Sequence, residues 1–554
     1  MTGPRPCQAP DHDWPPTMTG PRHAAAVPGT PEDPEPGRAR TTAPVPPVAI
    51  AGDAASAAEH LPGERVPLDD AFLATLRSTC RDVSTEGAQL AEAGRDWWPI
   101  SIGWATRGEV PAKPGAIARP RSTAEVSALL AACNQARVPV TPLAGRSGVC
   151  GASVPLFGGV ALDMTAMAGI EDLDLTSLVA RVAPGTFGPE LEAALQAEGV
   201  SLGHWPQSID LSTVGGWIAC RGAGQYSTRY GKIEDMVAGL EVVLADGRVA
   251  RTGAAAPRAA MGPDLTQTFV GSEGTLGVVT SAWLRLHRLP PAEARRAYGF
   301  AGFAEGLDTC RRVLQRGATP AVLRLYDAEE SERHFATSTS GASGTCALVV
   351  LDEAEPSLLD ATMRILDEEC RAAGAAVLSE ELVAHWLERR NDVSALAPLY
   401  QGGIVVDTIE VAGTWNELPA LYEDCVSGLR SLPGTLAASA HQSHAYPDGA
   451  CLYFTFAGRE PDAGEATVLR DATRTWDTSY YTEAWDIVMR CVMSRGCAIS
   501  HHHGIGVNRA RFMEESMGEA FSVLAALKGA LDPRGIMNPG KLGLPSPFGE
   551  LAWP

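Results

Sequence analysis

Two periods of apolar and polar residues succeed one another along this chain, and the points where one replaces the other mark out its elements. In TAEVSALLAACNQARV (123–138) apolar residues recur at helical spacing, which predicts a helix with Thr123 as its N-cap. PVTPLAG (139–145) reads as a buried strand entering a loop, and GGVALDM (158–164) and LVARVAP (178–184) as further short strands. GPELEAALQAEGV (188–200) returns to the helical period, and LEVVLADGRVAR (240–251) predicts a hairpin turning at Asp246-Gly247. Helices and strands continue to alternate to about Pro290, which gives an α+β domain. A second mixed domain occupies 291–495, and the segment 496–554 holds three consecutive histidines and the polar stretch DPRGIMNPGKL (532–542).

Before position 63 neither period is present. Residues 1–62 are rich in Pro, Ala, Thr and Gly, with MTGPR occurring at Met1 and again at Met18. So few large apolar side chains cannot offset the entropy of ordering, and the segment is expected to be disordered. The globular chain then runs as an N-terminal segment and first domain over 63–290, followed by the second domain and the C-terminal segment.

Composition narrows the partners. The 554 residues are 45% apolar and 20% charged, an ordinary soluble composition, with a formal net charge of −21. That charge repels phosphates and argues against nucleic acid or an anionic membrane as partner. No apolar run approaches the ~18–20 residues of a transmembrane span. The N-terminal residues lack the regions of a secretory signal, and the C-terminal ELAWP is no peroxisomal address, so cytoplasm is the default expectation. The twelve cysteines contain no CxxC pair and are expected to be reduced thiols. A small-molecule substrate is the expected partner, and a homodimer is left open.

Candidate chemistry begins in the glycine loops. AGRSGVCGAS (144–153) follows a predicted strand directly, and its open backbone can wrap a pyrophosphate, using Ala144, Gly145, Arg146, Ser147, Gly148, Val149 and Gly151. It does not fit G-x-G-x-x-G, and alone it is as well explained by a plain turn. Two further stretches change this. QSIDLSTVGGWIACRGAG (207–224) gathers Ser212, Thr213, Gly215 and Gly216 at an apparent helix start, and GSEGTLGVVT (271–280) sets Gly274, Thr275, Gly277 and Val278 before a strand. In this order and spacing the three loops resemble the FAD-binding domain of the vanillyl-alcohol oxidase/p-cresol methylhydroxylase superfamily, over about 116–290. The resemblance implies a two-subdomain FAD-binding domain and a substrate, or cap, domain of the FAD-linked oxidase C-terminal type. In some members a histidine of the first loop tethers the flavin. Here the stretch is SGVCG, so non-covalent FAD is expected, with Cys150 a packed thiol.

The second domain points to one branch. HQSHAYPDGACLYFTFAG (441–458) and SHHHGIGVNR (500–509), with STVGGW at Ser212, LRLYD at Leu323 and DTIEVAGTW at Asp407, resemble the alkyldihydroxyacetonephosphate synthases of ether-lipid synthesis. The likeness covers about 97–544. It implies Tyr453 and His503 as acid–base groups, flanked by His501 and His502, with Arg324, His444 and Arg509 on the substrate. In that chemistry flavin N5 forms a transient adduct with a substrate carbonyl, so that an acyloxy group of the substrate is exchanged for an alkoxy group without net redox change. The rival on the same scaffold is hydride transfer from an alcohol or 2-hydroxy acid. Its metal-dependent members carry H-x-G-D-G-N-x-H and a later G-E-H-G. Here Tyr453 stands at the second histidine and His502 at the glutamate, so the ligand set has lost its carboxylate and no metal is expected. One departure concerns the substrate. The synthases' phosphate-handling arginine lies fourteen residues before the glutamate matching Glu410, and here that position is Leu396, with Arg389 and Arg390 a few residues upstream.

Overall fold

A computed structural model describes residues 43–253, 257–335, 344–393, 396–461 and 475–550. Within the first domain, a four-stranded sheet orders Val83–Ser84, Ala116–Ala118, Val160–Asp163 and Val140–Leu143, the last three parallel. An antiparallel five-stranded sheet orders Val249–Gly253, Val237–Val243, Val278–Arg285, Val179–Val182 and Ile170–Asp174. The expected hairpin is present: Val237–Val243 pairs with Val249–Gly253, and Gly247 takes the left-handed φ of +87° that the turn requires. The predicted helix spans Thr123–Ala136, but its N-cap is Ser122, whose hydroxyl accepts the Glu125 N–H at 3.2 Å. Thr123 instead donates to Glu241 across the fold at 2.7 Å, a tertiary contact that local sequence does not show.

Disorder over the whole of 1–62 needs correction at its C-terminal end, while residues 1–42 lie outside the described residues. From Val48 onward the chain is packed: Val48, Ile50, Ala57 and Leu61 are buried, and Ala58–Glu59 pairs with Glu109–Val110. The Val48 carbonyl also accepts the Arg95 guanidinium at 2.7 Å. A few well-placed aliphatic side chains and a borrowed strand edge order a segment whose composition is poor.

The second domain is built on an antiparallel seven-stranded sheet. Its order is Ala376–Leu378, Ala292–Phe300, Cys346–Ala354, Val322–Tyr326, Thr435–Tyr446, Gly449–Gly458 and Val405–Thr414. Strand alternation sends Leu452, Phe454 and Phe456 into a core shared with helices Phe303–Gln315, Pro356–Ala372, Leu418–Arg430 and Trp476–Ser494. Cys451, Tyr453 and Thr455 therefore point to the opposite face. In Thr435–Tyr446 a bulge between Gln442 and His444 shifts the register. Ala438, Ala440 and Ala445 all reach the core, so His441 and His444, three apart, share the face that carries Tyr453. Without the extra residue, alternation would send one of them into the helices.

The C-terminal segment packs back on the first domain. Val140 N–H donates to Ile536 at 2.8 Å and Asn538 N–H to Val140 at 2.8 Å, and Lys541 donates to the Val154 carbonyl at 2.7 Å. The stretch NPGKL thus returns to the first domain.

Candidate active site

Between the glycine loops and the open face of the large sheet lies a cavity of about 470 Å³. Each loop owes its shape to local chemistry. A Cβ at Gly145 would run into the Leu211 carbonyl oxygen, so only glycine lets the first and second loops close on each other. Thr213 caps the short helix Val214–Cys220, and Ser212 accepts the Trp217 indole N–H at 2.6 Å while donating to the Ser208 carbonyl at 2.7 Å. Gly274 turns at φ +73°, against the ring of Pro142.

Of the expected cofactor-binding residues, all but two line the cavity: Ala144, Gly145, Arg146, Ser147, Gly148, Val149, Ser212, Thr213, Gly215, Gly216, Gly274, Gly277 and Val278. Gly151 instead packs behind the loop against Trp98 and Val507, and Thr275 spends its hydroxyl on the Ser272 carbonyl at 2.7 Å. Arg324, His444, Tyr453, His502 and His503 line the opposite wall.

Two of the expected catalytic and substrate-binding residues are likewise not brought to the cavity. Arg509 is fully buried and donates to Glu410 Oε1 at 2.9 Å, to the Glu410 carbonyl at 3.1 Å and to Gly504. It is a support, and its expected contact with substrate is corrected. His501 stands behind His502, with Nδ1–Nδ1 at 2.9 Å, and bonds Tyr446 at 3.2 Å.

The geometry of the histidines is set by Glu410. Its carboxylate accepts the backbone N–H of His501, His502 (3.3 Å) and His503 (2.9 Å), and the Ser500 hydroxyl at 2.8 Å. Burial works to raise this carboxyl, but Arg509 and the histidines outweigh it and hold the pKa at about 2. The loop is thus wrapped on a buried anion. The carboxylate that the histidine motif lost is present after all, supplied by the neighbouring strand. Glu410, Cys451, His501 and His502 bring ligand-type atoms within 4.8 Å of one another. Both Glu410 oxygens are already engaged and burial pushes the Cys451 thiol up, so this group fits an internally bonded support better than an open ligand set.

In front of it, Tyr453 Oη and His503 Nε2 stand 2.6 Å apart. Nδ1 of His503 lies 3.9 Å from Glu410 Oε1, which favours the tautomer with the proton on Nδ1 and the phenol donating to Nε2. Burial lowers His503 to about 4 and raises Tyr453, so at neutral pH the pair is an uncharged phenol and an uncharged imidazole. His441 stacks on Tyr453 at 5.0 Å; its Nδ1 bonds Glu330 at 2.6 Å and its Nε2 meets Arg324 at 2.6 Å.

Sequence reading missed His204. It lines the cavity fully buried, with neither ring nitrogen partnered among the described residues and its pKa driven down to about 3 by burial. A lone histidine in LGHWPQS carries no motif, and only the fold brings it here. Asp96 was missed for the same reason; it lines the cavity, and its Oδ2 has no hydrogen-bond partner among the described residues. Such orphaned polar atoms are rare in folded interiors. Set among loops trimmed to glycine, they fit an elongated, polar-edged group such as FAD.

Comparison with known proteins agrees with this geometry. Residues 114–253 match the FAD binding domain model, and residues 289–542 match the C-terminal domain of FAD linked oxidases. The FAD-linked oxidoreductase YgcU of Escherichia coli O157:H7 is 31% identical over 442 residues, spanning 77% of this chain and 89% of that protein. The alkyldihydroxyacetonephosphate synthase of Dictyostelium discoideum is 28% identical over 469 residues, spanning 78% of this chain and 74% of that one. A solved alkyldihydroxyacetonephosphate synthase superposes with a TM-score of 0.71 at 22% identity, covering 89% of this chain and 88% of that chain. The chain belongs to the FAD-linked oxidase family: it is an FAD-dependent enzyme built from the two domains that the loops imply. No helix among the described residues is long and apolar enough to cross a membrane.

Proposed function

We propose that this enzyme acts as the alkyldihydroxyacetonephosphate synthases do, on a small polar substrate whose carbonyl or hydroxyl group meets FAD between the glycine loops and Tyr453. The observation that carries the reading is the 2.6 Å contact of Tyr453 with His503, both on the cavity wall. FAD, when bound, supplies the electrophilic N5 of its ring system. The chain supplies the proton chemistry. The phenol oxygen of Tyr453 takes a proton from the substrate as its own proton passes to His503 Nε2, and in the reverse direction the imidazolium returns that proton while the phenol protonates a substrate oxygen on which negative charge has developed. Glu410 lies beyond His503 Nδ1, where its charge stabilises the imidazolium that such a transfer forms. His441, stacked on the tyrosine, keeps the ring from turning away.

The test is anaerobic mixing of the holoenzyme with acyl-dihydroxyacetone phosphate and a labelled fatty alcohol, with the flavin band followed throughout. Transfer of label with no lasting loss of the oxidised band is the expected outcome. Lasting bleaching by a 2-hydroxy acid or a simple alcohol, reversed only by oxygen or an acceptor, would replace this reading with hydride transfer.

A further inference from the structure

His444, His501 and His502 take no part in the proton chemistry proposed for Tyr453 and His503. They are nevertheless joined end to end through two hydroxyl groups. His502 and His501 meet Nδ1 to Nδ1 at 2.9 Å, and His501 Nε2 meets Tyr446 Oη at 3.2 Å. Tyr446 donates to Ser227 Oγ at 3.2 Å, and Ser227 Oγ meets His444 Nδ1 at 2.7 Å. The two ends of this chain, His502 and His444, both line the cavity, their rings edge to face at 4.8 Å. Ser227 opens the short helix Ser227–Tyr230 of the first domain, and Tyr446 ends strand Thr435–Tyr446 of the second. The helix is clamped to the second domain by Arg229, whose Nε and Nη2 each donate to the buried Asp352 carboxylate at 2.9 Å.

Elimination places every proton along the chain. Burial holds the three imidazoles well below their usual value, so each is uncharged and carries one proton. The single phenol proton of Tyr446 lies toward Ser227, so at its other contact His501 Nε2 is the donor. His501 Nδ1 is then bare and accepts from His502 Nδ1, which leaves His502 Nε2 bare. Ser227 accepts from Tyr446 and gives its own proton to His444 Nδ1, which leaves the His444 proton on Nε2. All four bonds therefore point the same way.

Two neighbouring histidines of the cavity wall thus hold opposite tautomers. With Nδ1 of each engaged, what they have left for a ligand is an acceptor at His502 Nε2 and a donor at His444 Nε2. A hydroxyl group both donates and accepts and so matches this pair. A carboxylate or ketone has no proton to give, and an ammonium has no lone pair.

We infer that the chain from His502 to His444 is a proton relay for a hydroxyl group of the substrate, with Tyr446 and Ser227 as the residues that position its protons. The inference rests on the exchange reaction proposed above for the second oxygen. There the O–H bond of the incoming alcohol breaks as an N–H bond forms at His502 Nε2. Each bridging proton moves one partner along, the N–H bond at His444 Nε2 breaks, and that proton ends on the oxygen of the departing carboxyl group. No electron leaves the substrates. Buried imidazoles are poor bases singly, because each would have to carry a charge; the relay moves a proton without leaving one charged. Exchange with water in the cavity resets the tautomers.

The test uses oxidised holoenzyme with isotopically labelled histidine, read by nitrogen NMR, in which bare and protonated ring nitrogens resonate far apart. His444→Asn and His502→Asn assign the signals by removing them. The proton should sit on Nε2 in His444 and on Nδ1 in His502. Ser227→Ala should turn His444 into a mixture of tautomers, and Tyr446→Phe should do the same to His501 and His502. Propan-1-ol should move both Nε2 signals saturably, whereas acetone, an acceptor alone, should move that of His444 only. The same tautomer at both histidines, tautomers indifferent to both substitutions, or a propan-1-ol response that is absent or confined to one Nε2 overturns the relay. None of these measurements needs turnover, so they decide the relay even where no label passes from the fatty alcohol and the proposed reaction fails. Where label does pass, Tyr446→Phe should lower kcat about 10²-fold, the lower end of the range for a lost acid or base, with KM for acyl-dihydroxyacetone phosphate unchanged. A wild-type kcat overturns the relay. Melting temperature and flavin content identify a Tyr446→Phe protein that has merely lost its fold, and Ser227→Ala then decides on the same measures.

Discussion

In the proposed reaction two side chains, Tyr453 and His503, carry the proton chemistry, and burial keeps both uncharged at neutral pH. Tyr453→Phe removes one hydroxyl without changing the ring stack on His441, so fold and FAD content should survive while the chemical step slows by about 10²–10⁴, the range for a lost general acid or base. His503→Ala should slow it similarly, and the double variant should fall far short of the product of the two losses, because the groups act as one unit across a 2.6 Å contact. Stopped-flow flavin absorbance on the three variants checks this; full activity in Tyr453→Phe removes the tyrosine from the mechanism. At this scale the sequence was legible where residues sit in a run. SHHHGIG announces itself, and its spacing from Tyr453 could be matched to a family. Glu410 could not be recognised as the anchor of that run. It lies 90 positions from Ser500, and the contact exists only once the strand is laid beneath the loop. His204 and Asp96 were illegible for the same reason.

The elements that aim these side chains were legible by period, and less so where a period breaks. The strands and helices of the first domain follow the apolar pattern closely, whereas the bulge between Gln442 and His444 leaves no mark in HQSH and reverses which residues share a face. The 500–505 loop has no regular period at all; its shape comes from the Glu410 carboxylate. Glu410→Gln should therefore act through the loop. It leaves the fully buried Arg509 without its ion-pair partner, a change of about 3–5 kcal/mol in stability, read by denaturant unfolding of the holoenzyme. An unchanged midpoint would mean that the loop is held by other contacts. The segment 43–62 is the converse case, ordered against its composition. A chain beginning at residue 63 loses the buried Val48, Ile50, Ala57 and Leu61 and the strand pairing of Ala58–Glu59, and should melt several degrees lower than a chain beginning at residue 43. Equal melting temperatures would show that this segment rests on the core without stabilising it.

Over the whole molecule, the site imposes a pH dependence on stability. His204 is lowered by burial to about 3 and His441 and His503 to about 4, while His444, His501 and His502 are held well below their usual value, burial being the largest cause in each. In an unfolded chain these six titrate near 6.5. As pH falls below that value the unfolded chain takes up protons that the folded chain cannot, so stability drops progressively between about pH 6.5 and 4. Asp96, Glu273 and Asp407, raised by burial to about 7, work in the opposite sense between about pH 4 and 7, and burial also raises Glu192 and Asp327; against these five carboxyls stand eight histidines among the described residues, since burial lowers His287 and His334 as well. Below about pH 4 His441 and His503 take up protons in the folded chain too, while His204 and protonation of Glu330 and Glu410, whose folded values are about 2, continue the loss. Four of the six histidines line the cofactor cavity, so acid loosens the protein around FAD first. The first loop offers Cys150 but no histidine to tether the flavin, and that thiol is buried, raised in pKa and absent from the cavity wall. Acidification from pH 7.5 to 4.5 should therefore lower the melting temperature and release free FAD, seen as the bright fluorescence of unbound flavin in the supernatant. A melting temperature that holds or rises over this range would mean that the buried carboxyls outweigh the histidines. Flavin that stays with the precipitated chain would mean a covalent link, and the attachment point would then have to be sought among the cavity-lining residues, with Cys220 the thiol to examine first.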